Sequence, residues 1–189
     1  MQTAQKEQRI VNGVNVTELF ETIDDIGGNT EIAKFNFRAS NKWINGGQNE
    51  TIVDDYDGAC QTFKRDTPFV FRKDEPAILL GTDTGANPVE YLLAALAGCL
   101  TTSLVYHAAA KGIKVDEVTS TYSGNLDLRG FLGMDPNVRN GYSDINIEFR
   151  VKGDATPEQL EELVRVAEQR SPVYDVVSKS VPVTVTVAK

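Results

Sequence analysis

Twenty consecutive residues without a formal charge, Tyr91 to Ala110, constrain this chain more than anything else in it. A stretch of that length is enough to span a bilayer. It also contains Thr101, Thr102, Ser103 and His107, and much of the rest is Ala and Gly. That composition reads as the buried core helix of a protein that does not enter a membrane. Its ends are marked. Asn87 is a good N-cap, Pro88 suits the first turn, and Glu90 completes a capping box, while Lys111-Gly112 stops the helix. The expected helix, residues 88–111, is therefore about 24 residues and roughly 36 Å long. Because it is apolar on every side, it needs cover on every side. A chain of 189 residues holds one sizeable core and is short for two. A second subunit is the natural source of the missing cover.

The net charge of −8 excludes the basic surface that nucleic-acid binding requires. Only two cysteines occur, Cys60 and Cys99, which excludes a disulfide-stapled secreted scaffold. The first residues, MQTAQKEQRI, lack the apolar stretch of a signal peptide, so the sequons at Asn15 and Asn49 carry no weight and a cytoplasmic location is expected. Two cysteines and one histidine without ligand spacing point to no metal and no other cofactor.

The remaining elements fall on both sides of the long helix. Asn15, with Glu18 three positions on, opens a helix over Val16–Ile26 that Gly27-Gly28 ends, giving residues 1–32 the character of a helical extension. In Ala33–Ile44 the residues Phe35, Phe37, Ala39 and Trp43 share one parity, as on a strand. Gly46-Gly47 turns the chain into a return strand at Glu50–Asp55, and Phe69–Phe71 is a further short strand. Beyond the helix, strands are expected at Lys114–Leu128 and Ser143–Val151, joined by a loop from Arg129 to Gly141. Thr156 caps a helix from Pro157 to Gln169, and alternating Val and Thr over Val181–Val187 predict a closing strand. The class is α+β.

The run Asn87-Pro-Val-Glu-Tyr-Leu-Leu-Ala-Ala-Leu-Ala-Gly-Cys99, followed by Leu-Thr-Thr-Ser, resembles the signature helix of the OsmC/Ohr family of osmotically induced and organic hydroperoxide resistance proteins. The element order agrees, from the early strands with Trp43 and Gly46-Gly47 to the Ser-Pro-Val segment and the Val-Pro-Val-Thr-Val end. The resemblance covers residues 33–189. It implies an intertwined homodimer, with helices packed between sheets to which both subunits contribute. It also implies a thiol peroxidase that reduces organic hydroperoxides, small hydrophobic peroxides being its partners, with Cys99 as the attacking thiolate that becomes a sulfenic acid.

The chain departs from the family at three places. The resolving cysteine matches Ser171, in Ser171-Pro-Val-Tyr-Asp175, and serine forms no disulfide. The activating arginine falls at Gln48, with Arg38 nearby but offset. The carboxylate best matches Glu90, although in the hydroperoxide reductases it stands one residue earlier, at Val89. These losses matter because a free thiol titrates near 8.5 and needs a cation to lower that value. Cys99 lies about three turns into its helix, beyond the positive N-terminus, and His107 is roughly 12 Å further along the axis.

Each of these residues also has an ordinary structural role open to it. A cysteine on an apolar helix serves as a small buried hydrophobe, Glu90 as a cap, and His107 as a hydrogen-bonded core or surface histidine. Cys60 has no motif around it and is either structural or a substitute resolving thiol. The expected function is a peroxidase with Cys99 and Glu90 at its site and an external thiol as reductant. The alternative is a dimeric module of the same fold, without catalysis, that binds a small hydrophobic ligand between subunits.

Overall fold

The computed structural model describes residues 8–188. Two compact units are distinguished by their internal packing. One comprises residues 8–10 and 15–92, the other residues 11–14 and 93–188.

The first unit is a helix and an antiparallel sheet. Helix α1 spans Val16–Gly28, and the Asn15 side chain accepts from the Glu18 N–H, as the cap pattern predicts. The sheet contains β3 (Asn36–Phe37), β4 (Ser40–Asn45), β5 (Gln48–Gly58) and β6 (Gln61–Lys73). β3 and β4 follow one another along one edge of β5, and β6 pairs with the other edge. The strand expected over Ala33–Ile44 is thus interrupted at residues 38–39. β5 and β6 outrun their expected lengths and meet in a two-residue turn, Ala59-Cys60, with both residues at positive φ (47° and 60°).

Helix α2, Pro88–Ala110, begins in the first unit and continues into the second. Both predicted ends are present. The Val89 N–H donates to Asn87 Oδ1, and the Asn87 N–H donates to Glu90 Oε2 (2.8 Å). At the far end the Gly112 N–H reaches the Ala109 carbonyl and the Ile113 N–H reaches the Ala108 carbonyl. That pair of bonds requires a left-handed residue at Gly112, whose φ is 73°.

In the second unit β7 (Val115–Asn125) and β8 (Asp144–Gly153) form an antiparallel pair in the register Val118↔Val151 and Tyr122↔Ile147. Helix α4 (Pro157–Arg170) carries the full capping box of Thr156 and Gln159. Two short helices were not expected: α3 (Leu128–Phe131) in the loop after β7, and α5 (Pro172–Ser178), for which Ser171 is the N-cap. β1 (Ile10–Val11) and β2 (Val14–Asn15) make a small hairpin, of which residues 11–14 belong to the second unit.

The core of the second unit joins Leu96, Leu100, Leu104 and Ala108 of α2 to Leu163 and Ala167 of α4, with Val118, Tyr122, Ile145, Ile147 and Phe149 from the sheet around them. Leu104 is fully enclosed. Leu104→Ala should lower unfolding stability by about 2–5 kcal/mol, read from the urea midpoint at unchanged slope.

As its all-round apolarity predicts, α2 is not fully covered by one chain: among the described residues only one stripe of it is buried. Leu92, Ala95, Thr102 and Tyr106, which with Cys99 are spaced three and four residues apart on the opposite side, are exposed. One expectation meets a correction: the closing strand is absent. Residues 180–188 form no ladder among the described residues, and exposure rises from 44% at Val181 to 93% at Val187. The alternation of Val and Thr is that of a strand, but Pro182 supplies no N–H, and among the described residues no neighbouring strand lies alongside.

Candidate functional site

Cys99 sits at the middle of the open stripe of α2, one helical turn from Ala95 and from Thr102-Ser103, and is half-buried. Among the described residues its thiol has neither a hydrogen bond nor an ion pair. Gly98 beside it is exposed, and nothing lies within 4 Å of where a Cβ would stand. The thiol is therefore approachable from the side that the described residues leave uncovered.

Glu90 is on the first turn of the same helix. Its carboxylate is exposed and committed to the Asn87 N–H. Cys99 lies nine positions beyond Glu90 on the helix, about 13.5 Å along the axis, so the two do not meet within one chain. His107, in the last turn, is held below its ordinary pKa by burial first and then by the charges of Arg170 and Lys111.

Ser171 is only 1% exposed. Its N–H donates to the Ala167 carbonyl and its Oγ accepts from the Tyr174 N–H (3.2 Å), so both polar groups bridge α4 to α5. Position 171 has become a helix joint. Cys60 is exposed at the β5–β6 turn.

Arg38 is wholly engaged elsewhere. Its Nε donates to Asp55 Oδ1 at 2.9 Å, and its terminal nitrogens donate to both oxygens of Asp57 at 2.5 and 3.1 Å. The hydrogen bonds to Asp57 and then Asp55 push the guanidinium pKa further up, and the same contact, helped by the Thr62 hydroxyl, lowers Asp57 to about 2. This fork–carboxylate arrangement fixes the β3–β5 edge.

Gln48 belongs to a network that the sequence did not announce. The carboxylate of Asp74, 1% exposed at the end of β6, accepts from the Glu75 N–H (2.8 Å), the Thr82 N–H and hydroxyl (3.2 and 2.6 Å), and the Thr84 N–H and hydroxyl (3.1 and 2.9 Å). The Thr82 hydroxyl, then the backbone donors, hold its pKa well below the usual carboxylate range. Gln48 Nε2 donates in turn to both threonine hydroxyls, at 2.8 and 3.3 Å. The amide at the expected arginine position thus fastens the segment that leads into α2. A buried Asp with two downstream threonines has no periodic signature, so only the fold exposes this cluster.

Each unit also holds a groove. In the first, Glu50, Val70, Arg72, Thr84, Ala86 and Tyr91 line an open depression of about 440 Å³. In the second, Leu100, Ile145, Ile147, Phe149 and Val164 floor one of about 260 Å³. At its rim the Tyr174 hydroxyl donates to Glu168 Oε1 (2.6 Å), and that carboxylate, with burial, raises the phenol's pKa. No group of three His, Cys, Asp or Glu side chains among the described residues is placed to hold a metal.

Residues 81–186 match the family described as OsmC-like protein. Among solved structures, the fold is similar to that of the OsmC like protein from Mycoplasma pneumoniae, with TM-score 0.60 and 17% identity over 77% of this chain and 89% of that one. It is also similar to an organic hydroperoxide resistance protein from Elizabethkingia anophelis, with TM-score 0.55 and 19% identity over 77% and 89%. A third similar structure is an organic hydroperoxide resistance protein OsmC from Legionella pneumophila, with TM-score 0.54 and 17% identity over 75% and 88%. A comparison by sequence with curated proteins finds no match.

Proposed function

The chain belongs to the OsmC-like protein family, matched over residues 81–186, and on that footing we propose a thiol-dependent peroxidase that reduces organic hydroperoxides through Cys99. The observation that carries this reading is the place of the cysteine. Cys99 is kept within the family's motif, half-buried on the face of α2 that the described residues leave open.

In the proposed step the Cys99 thiolate attacks the distal oxygen of the hydroperoxide. The O–O bond breaks, the alcohol leaves with a proton, and the sulfur becomes a sulfenic acid. With Ser171 buried as the joint of α4 and α5, an external thiol attacks that sulfenic acid, releasing water, and a second thiol cleaves the mixed disulfide. Glu90 and its cap on Asn87 hold the start of the helix that presents the sulfur. The working form in this reading is a cytoplasmic homodimer without cofactor, metal, nucleic acid or membrane attachment. Residues 33–189 form the OsmC-like domain and residues 1–32 the extension. The second subunit covers the α2 stripe and supplies the cation that Gln48 and Arg38, both engaged elsewhere, do not.

Consumption of cumene hydroperoxide in the presence of excess dithiothreitol tests the proposal. Wild type should turn over and Cys99→Ser should not, with a loss of at least about a hundredfold. Equal rates in the two proteins would remove the peroxidase. The apolar groove floored by Leu100 and Phe149 would then favour the second reading, a module that binds a small hydrophobic ligand without chemistry.

A further inference from the structure

The Asn12-Gly13 turn between β1 and β2 has positive φ at both residues, 52° and 76°, so an asparagine there has an ordinary conformational explanation. Its side chain does something a turn does not require. Asn12 Nδ2 donates to the Ile113 carbonyl at 2.9 Å, and Asn12 Oδ1 accepts from the Val115 N–H at 2.9 Å. Donor and acceptor of one amide thus meet the carbonyl and N–H of residues two apart on one side of an extended chain. That is the pattern that the N–H and C=O of one residue on a neighbouring parallel strand would present. The opposite side of the same segment is engaged by Asp154, whose N–H donates to the Lys114 carbonyl and whose Oδ1 accepts from the Lys114 N–H.

The place where this amide docks is a corner. Ile113 follows Gly112, and its N–H closes the end of α2 on the Ala108 carbonyl, while Val115 is the first residue of β7. Ile113 and Val115 also pack against the core of the unit. The contact spans about a hundred residues of sequence (|i−j| 101 and 103), so no local preference of the chain produces it.

We infer that the N-terminal hairpin is a strap: Asn12 acts as a one-residue substitute for a β-strand, closing the outer edge of β7 at its first residue and fastening the corner at which the Cys99-bearing helix becomes that strand. Released, the strap leaves the Ile113 carbonyl and Val115 N–H unpaired at a sheet edge, the kind of site where another extended chain adds. This inference does not depend on whether Cys99 reacts with peroxides.

Amide hydrogen exchange on the full-length protein separates the strap from the turn. Asn12→Gly keeps a residue suited to positive φ and removes only the amide. The Val115 N–H should then exchange at least about tenfold faster, while the Ser171 N–H, bonded to Ala167 within the same unit, keeps its rate. Asn12→Asp retains an acceptor for Val115 but sets a carboxylate against the Ile113 carbonyl, and should fall between the two. An unchanged Val115 rate in Asn12→Gly overturns the strap and leaves Asn12 as a turn residue. Equal acceleration at Val115 and Ser171 also overturns it, because Asn12 then contributes only to global stability.

Discussion

Wild-type protein treated with one equivalent of an organic hydroperoxide should gain about 16 Da, one oxygen, and Cys99→Ser should gain nothing. The size of the effect follows from what position 171 has become. With a buried hydroxyl capping α5, no second sulfur is at hand on α4 or α5 to turn the sulfenic acid into a disulfide. The oxidised thiol should persist, or proceed to sulfinic and sulfonic acids, until an external thiol intercepts it. Ser171→Cys is the informative counterpart. It loses the cap on the Tyr174 N–H, worth about 1 kcal/mol, and should replace the added oxygen by a loss of about two hydrogens. A variant that still stops at one added oxygen would show that position 171 does not face Cys99. A disulfide between Cys60 and Cys99 in the wild type would make Cys60 the resolving thiol. No added oxygen at any dose would leave the cysteine a packing residue.

Sedimentation equilibrium at micromolar concentration should give twice the chain mass of 20.7 kDa. Three surfaces of the single chain call for it. The α2 stripe through Leu92 and Tyr106 is bare, the β7–β8 pair is only two strands wide, and Val183, Val185 and Val187 stand in solvent. Two-stranded sheets are marginal alone, and an extended alternating segment finds its energy in pairing with another strand. Removing residues 181–189 should therefore shift the equilibrium towards monomer by a factor of ten or more, about 1.4 kcal/mol or above. A wild-type chain that stays folded and monomeric at these concentrations would end the dimer proposal.

How much of this could be read in advance depended on whether a feature was local. The caps of α1, α2 and α4 are short-range hydrogen-bond patterns, and Asn15, Asn87 and Thr156 with Gln159 behave as their spacing dictates. The break at residues 38–39 was not legible, because Arg38 is drawn out of strand pairing by Asp55 and Asp57, seventeen and nineteen residues away. The β1–β2 hairpin escaped because its strands are two residues each, too short to show a period around Asn12-Gly13. Val181–Val187 has strand periodicity, yet periodicity does not say which chain provides the neighbour. At the site, the position of Cys99 on the long helix was legible from the motif, but its half-buried setting was not, because an all-round apolar helix does not say which side its own chain covers. The engagement of Gln48 with Thr82 and Thr84 was not, since it depends on a buried Asp74 gathering donors from across a loop.

The turn at the β5–β6 tip has a practical consequence. Ala59 and Cys60 both occupy a backbone region that suits Asn-Gly far better, and Cys60 is exposed with no partner element to satisfy. Exchanging the pair for Asn-Gly relieves the conformation and deletes a thiol in one move. The product has a single sulfhydryl, Cys99, halfway along the central helix. Any spin label, fluorophore or isotopic alkylating agent then reports from that one address, and from its counterpart across any symmetric assembly.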